Sequence, residues 1–214
     1  NVFEDNDGSV ISIDANALEA ISVTDLGRTT GPVDAYTQFA DNQGPLVRLN
    51  RMDNITSGFN GTLGMEIRPN ELTTASIWDD TDIVHVMSSG KIYIDNQHAR
   101  GGLRLKSAPD ASLVVKLGGG AGFEIGNPDK DGDGVLGTKD GPIDIDDRVG
   151  GTMQVVGAPG FPVVLTSIRD DSYGASLTPT GFPQTDTNGD DTASTAQAGD
   201  WGEILFDKYA HDRN

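Results

Sequence analysis

Leu103-Arg-Leu105, Leu113-Val-Val-Lys-Leu117 and Phe123-Glu-Ile125 are three short apolar runs in close succession, parted by Ser107-Ala-Pro-Asp-Ala-Ser112 and Gly118-Gly-Gly-Ala-Gly122. Successive side chains of a strand point to opposite faces, so Leu103 and Leu105 share a face that Arg104 leaves. Apolar alternation broken by Gly, Pro, Asn and Asp is the grammar of strands and turns. Working outward, the same grammar gives Leu46-Val-Arg-Leu49, Leu63-Gly-Met-Glu-Ile67, Ile83-Val-His-Val86 and Ile92-Tyr-Ile94 before this stretch. It gives Met153-Gln-Val-Val156, Pro162-Val-Val-Leu165 and Glu203-Ile-Leu-Phe206 after it. One short helical candidate, Asp14-Ala-Asn-Ala-Leu-Glu-Ala-Ile21, stands apart. The chain is therefore expected to be all-β.

The starts of these runs are regular. Leu63, Ile83, Leu103 and Phe123 are evenly spaced, and Ile92 and Leu113 are separated by nearly the same interval. A period of about 20 residues with two or three short strands predicts a right-handed parallel β-helix, a β-solenoid whose coils stack strand upon strand. The alternative is an antiparallel β-sandwich, whose strands also recur at short intervals. Two-residue Asn-Gly or Asp-Gly hairpin turns are few between the runs, which favours the solenoid. Residues 1–214 are read as one solenoid domain or array segment. A calcium-loop insertion is expected at 126–150 and a polar loop excursion at 169–200, since strand signals resume after each.

Composition narrows the function. The 214 residues carry 33 Asp+Glu against 15 Lys+Arg, a formal charge of −18. Such a chain is no nucleic-acid binder, because phosphate neutralisation needs basic patches. It has no apolar run of the roughly 18 or more residues that a membrane span requires. With no Cys it has no disulfide framework and no thiolate chemistry. Beginning at Asn1 with no charged and apolar leader, it reads as part of a longer or processed protein.

The sharpest local motif is Asp129-Lys-Asp131-Gly-Asp133-Gly134-Val135-Leu-Gly-Thr-Lys-Asp140. Side-chain oxygens at loop positions 1, 3 and 5 precede a Gly at 6. The Val135 carbonyl follows at 7 and a carboxylate at 12. That is the spacing that wraps one Ca²⁺. Unneutralised, carboxylates this close repel one another. No amphipathic helix flanks the loop, so it reads as an isolated calcium loop and not a sensor pair. Asp186-Thr-Asn188-Gly-Asp190-Asp191 repeats positions 1, 3 and 5 but has no Gly at 6 and only Gln197 at 12; it is a weaker calcium candidate. Asp5-Asn-Asp7-Gly8 reads as an ordinary turn. The runs Trp78-Asp-Asp-Thr-Asp82 and Asp144-Ile-Asp-Asp147 read as solvated corners. Asn54-Ile-Thr56 and Asn60-Gly-Thr62 are glycosylation sequons.

Catalytic signals are poor. His85, His98 and His211 lie in no metal or nucleophile motif. His85, between Val84 and Val86, reads as facing a wall surface or as a hydrogen-bonded, partly buried residue. A polysaccharide lyase would need a basic residue on an outward stripe; Lys91, Arg104 and Lys116 are outward by alternation, and nothing selects among them.

From Gly44 onward the chain resembles large secreted bacterial surface proteins, common in planctomycetes, with haemagglutinin- or adhesin-like right-handed parallel β-helix regions. The residues that carry the likeness are Trp78-Asp-Asp-Thr-Asp-Ile-Val-His-Val86, Gly102-Leu-Arg-Leu-Lys-Ser107, Ser112-Leu-Val-Val-Lys-Leu117, Gly157-Ala-Pro-Gly-Phe-Pro-Val-Val-Leu-Thr-Ser167, Gly199-Asp-Trp-Gly202 and His211-Asp-Arg-Asn214. The resemblance implies an extracellular or cell-surface segment and brings no catalytic residues with it. The expectation is a non-enzymatic structural or adhesive component stabilised by Ca²⁺. Its partners would be further copies added end to end as a filament, or matrix polysaccharide. A calcium-dependent polysaccharide lyase or hydrolase, or a carbohydrate-binding module, is the alternative.

Overall fold

A computed structural model describes residues 1–19, 22–24, 32–34, 44–45, 47–53, 61–95, 102–126, 151–191, 193–207 and 210. In these residues the strands are β1 (Val2–Phe3), β2 (Ile11–Asp14), β3 (Ser22–Thr24), β4 (Pro32–Asp34), β5 (Arg51–Met52), β6 (Met65–Arg68), β7 (Ser76–Trp78) and β8 (His85–Met87). They continue with β9 (Lys91–Ile94), β10 (Leu103–Lys106), β11 (Leu113–Leu117), β12 (Gly122–Ile125), β13 (Met153–Val156), β14 (Val163–Ser167) and β15 (Ile204–Phe206). The chain is all-β, with parallel sheets. Only β3 and β4 pair antiparallel among the described strands, which is not the pairing of an antiparallel sandwich.

The strand order shows how the chain travels. Three sheets run β13-β10-β7, β14-β11-β8-β6-β2 and β15-β12-β9. Each successive trio (β7–β9, β10–β12, β13–β15) gives one strand to each sheet. Side chains stack in columns across the registers: Ser76, Leu103 and Met153; Met65, His85, Val115 and Leu165; Ile92, Phe123 and Ile204.

These columns correct the reading of the sequence period. The step from Met65 to His85 matches it, but the steps from Ser76 to Leu103, from His85 to Val115 and from Ile92 to Phe123 are all distinctly longer. Leu103 and Phe123 stand in different sheets, so their even spacing is not a stacking interval. Register follows from inward alternation within each strand. Corners of unequal length absorb the difference.

Between the three sheets lies the core, including Leu63, Met65, Ile67, Trp78, Met87, Ile92, Leu105, Val115, Leu117, Phe123 and Ile125, all buried. Fully burying an aliphatic or aromatic side chain contributes about 1.5–3 kcal/mol. Trp78 is an anchor: its ring meets Phe123 edge-on at 5.8 Å and stacks on His85 at 5.4 Å. The corner between β11 and β12 needs glycine. Gly119 and Gly120 have φ of +48° and +78°, and Ala121 N donates to Gly118 O at 2.7 Å to close the turn.

The helical candidate at 14–21 shrinks to a single 3₁₀ turn over Ala15–Ala17, which Asp14 caps by accepting from Asn16 N at 2.9 Å. Leu18 is buried, and its carbonyl accepts from Ile77 N at 3.0 Å and from Ser76 Oγ at 3.0 Å. The turn thereby covers the free edge of β7. The strand expected at Leu46–Leu49 falls instead at Arg51–Met52, where β5 pairs β1; Leu49 has φ of +52°, a left-handed conformation no strand accepts. At the opposite end β13, β14 and β15 are the outermost described strands, with Val155, Val156 and Phe206 exposed.

Replacing Phe123 by Ala empties the space beside Trp78, and the expected loss in urea unfolding is about 3–5 kcal/mol. Phe182→Ala, on a side chain 70% exposed, should change stability by no more than about 0.5 kcal/mol in the same measurement.

Candidate functional site: a carboxylate cluster over a buried lysine

Alternation points Lys116 out of the core, and the structure agrees on direction but not on exposure. Its register partners are Val86 of β8 and Thr166 of β14. Val84, Val86 and Val114 on the same outer face form a second buried cluster with Ala175, joined by Val164 and Ile168. The middle sheet is therefore covered on both faces, the outer cover coming from the excursion after β14. Lys116 lies beneath it, fully buried, and Nζ donates to the Thr185 carbonyl at 2.6 Å. Burial pushes its ammonium down to about 8, against the opposing pull of Asp171, Asp170 and Asp186.

Those carboxylates belong to the excursion, and each has a different environment. Burial pushes Asp170 up, but hydrogen bonds from Ser172 and Thr166 outweigh it and hold the group below its ordinary range. Asp171 is pushed up, first by burial and then by Asp186, with Asp190 and Asp170 adding and Lys116 opposing. Asp186 Oδ1 accepts from Gly189 N at 2.7 Å and Asp190 N at 3.3 Å, and its Oδ2 accepts from Asp191 N at 2.8 Å. Asp190 accepts from Ser194 Oγ, from Asn188 Nδ2 at 2.8 Å and from Ala193 N at 3.2 Å. The Ser194 hydroxyl first, then Asn188, hold Asp190 below the ordinary carboxylate range.

The weaker calcium candidate therefore exists as a compact turn, and Asp186, Asn188 and Asp190 come together. Asp171, which sequence spacing does not suggest, joins them from the start of the excursion. Two oxygens in this cluster, Asp171 Oδ1 and Asn188 Oδ1, are buried without a hydrogen-bond donor. Unpaired buried acceptors are costly. Among the described residues no three His, Cys, Asp or Glu side chains are arranged to hold a metal ion. The stronger motif, Asp129, Asp131, Asp133, Val135 and Asp140, lies outside the described residues, as do both sequon asparagines, Asn54 and Asn60, together with His98 and His211.

The far end of the excursion is pinned separately. Asp200 takes a hydrogen bond from Ser167 Oγ at 2.6 Å and one from Gln197 N at 2.8 Å, and pairs with Arg169 at 3.1 Å. Of the other outward bases, Lys91 Nζ lies 3.1 Å from Glu124 and 3.7 Å from Glu203, and Arg104 Nε donates to Gln154 at 2.9 Å.

His85 departs furthest from expectation. It points inward, is fully buried, and both ring nitrogens lack a hydrogen-bond partner. Burial lowers its pKa from 6.5 to about 3, a backbone contact with Ile83 opposing. The unfolded chain takes up this proton near pH 6.5 and the folded chain does not. Stability from His85 is thus complete above pH 6.5 and is lost as pH falls towards about 3. The slope approaches about 1.4 kcal/mol per pH unit. Urea unfolding between about pH 7 and 5.5, above most carboxylate titration, should show the start of that loss, and His85→Phe should flatten it.

Comparison with protein-family models, with curated proteins and with solved structures finds no match to this chain.

Proposed function

We propose that this chain is a calcium-stabilised parallel β-helix, right-handed, serving as a structural or adhesive segment of an extracellular or cell-surface protein. The observation that carries the reading is the set of three parallel sheets, each receiving one strand from every successive trio. A stack of this kind presents long ladders of outward side chains and grows by adding coils. The resemblance to large secreted surface proteins with adhesin-like regions points the same way.

Calcium enters through chemistry. The chain carries −18 and no Cys, so ions can do for it what disulfides do elsewhere. The spacing of Asp129, Asp131, Asp133, Val135 and Asp140 suits a Ca²⁺ loop, with Gly134 allowing the sharp bend. Asp186, Asn188 and Asp190 supply a second set, and the donor-free oxygens of Asp171 and Asn188 are hard ligands of the right type. An ion bound only by the folded chain adds its binding free energy to stability. The same ion can bridge surface carboxylates to an acidic matrix polysaccharide. The exposed strands β13–β15 offer an end at which a further coil, including one from another copy, can add its backbone hydrogen bonds.

At hundredfold excess over Kd one site contributes about 2.7 kcal/mol, a rise in melting temperature on the order of 5–10 °C for a chain of this size. Millimolar calcium should produce that rise and chelator should reverse it. Asp131→Ala with Asp133→Ala should remove most of it, and Asp171→Ala with Asn188→Ala a smaller part. Identical melting in calcium and chelator overturns the reading. So does release of reducing or unsaturated sugar from acidic polysaccharides, which would make the wall an enzyme cleft.

A further inference from the structure

The excursion after β14 is more than a covering loop. Between Asp170 and Asp191 it runs back over the outer face of the middle sheet and is held at three separated places, the first of them at β5 of the small β1-β5 sheet. Near its start, the Ser176 hydroxyl donates to the Asn50 carbonyl, Leu177 N donates to the same carbonyl at 3.4 Å, and Leu177 O accepts from Met52 N at 2.9 Å. Arg51 reaches Pro179 O at 2.8 Å from the wall side. Near its end, Thr187 O accepts from Leu63 N at 2.8 Å, and Thr187 is wholly buried. Between these lies Lys116, the wall's one fully buried cation among the described residues, bonded to Thr185 O.

The segment also holds itself together. Gln184 N donates to Ser176 O at 3.2 Å, Thr178 N to Phe182 O at 2.7 Å, and Leu177 bridges Pro183 antiparallel. The two arms approach so closely that a Cβ at Gly174 would lie 1.9 Å from Gln184 O. Of its residues only Ala175 joins the apolar cluster on the outer face, and its other contacts named above are hydrogen bonds. Its outer side exposes Tyr173 and Phe182. A locally bonded unit with little buried apolar area opens at lower free energy than the core it lies on.

We infer that residues 170–191 form a strap, clasped to the outer face of the middle sheet by the Lys116–Thr185 bond, that opens as a unit while the three-sheet wall stays folded. On opening, it uncovers the apolar stripe of Val84, Val86 and Val114. The strap is read from bonds and burial alone, so it stands whether or not calcium binds the chain.

Hydrogen exchange followed by mass spectrometry at neutral pH tests this. Lys116→Met keeps the stem's packing against Val86 and Val114 and removes the bond to Thr185. Peptides covering 174–188 should exchange at least about tenfold faster, the change that loss of one charged hydrogen bond gives. Peptides covering β11 and β12 should be unchanged. Ser176→Ala removes only the hydroxyl that grips Asn50 and should speed exchange in the same strap peptides by a smaller factor. Unchanged strap exchange in both variants overturns the clasp. Equal acceleration of strap and wall overturns its independence.

Discussion

A parallel ladder leaves no strand able to satisfy itself. Buried N–H and C=O groups of β11 need partners, which β14 supplies on one side and β8, over Val115–Leu117, on the other, and one neighbour precedes β11 in the chain while the other follows it. That requirement explains the close passages in the wall. A Cβ at Gly122 would lie 2.4 Å from Glu203 O, and one at Gly102 would lie 2.6 Å from Thr152 O. Glycine stands where the start of one strand must touch the backbone beside its neighbour. The same requirement leaves exposed apolar residues at β13 and β15, the outermost strands, while β7 is covered by Leu18 and Glu19.

Because the core is a narrow column between three sheets, a single inward residue controls a whole level of it. Trp78 and His85 come from one trio of strands and Phe123 from the next, each from a different sheet, and their rings meet in the core. Aromatic stacking tolerates a neutral imidazole and burial rejects a charged one, so the packing of Trp78 and the acid sensitivity of His85 have one cause. The Trp78 indole nitrogen is likewise buried without an acceptor.

The strands are more legible in the sequence than their partners are. Leu103, Leu105, Leu113, Val115 and Leu117 all point inward as alternation predicts. Equal spacing is the weaker guide, since Leu103 and Phe123 enter different sheets. Ser76-Ile-Trp78 carries too little alternation to announce a strand, and the acids that follow its Trp make it look like a solvated corner. At the site, the aspartates and asparagine of 186–190 are legible from their spacing. Asp171 is not, because its proximity to Asp186 depends on how the intervening strap doubles back through Ser176, Leu177 and Gln184. Lys116 shows its direction in the sequence, while its burial depends on a segment that enters the chain only after β14.

The two buried bases, His85 and Lys116, differ in what their burial achieves. His85 serves the column as a neutral ring stacked on Trp78. Lys116 cannot be treated that way. Replacing a buried, paired charge by an apolar residue is often neutral for stability, so strength alone does not account for a lysine between Val86 and Thr166. Apolar contact is non-directional and would let the strap slide along Val84, Val86 and Val114. An ammonium aimed at the Thr185 carbonyl adds a directional bond, which weakens steeply off its axis, to the backbone bonds that already hold the strap. Together these bonds set the register, and so which strap residues lie over which wall residues. In the same register Thr187 O accepts from Leu63 N, Leu177 O accepts from Met52 N, and Asp171 feels the charges of Asp186 and Asp190. The geometry of the carboxylates therefore follows from the register that the lysine and these backbone bonds hold together.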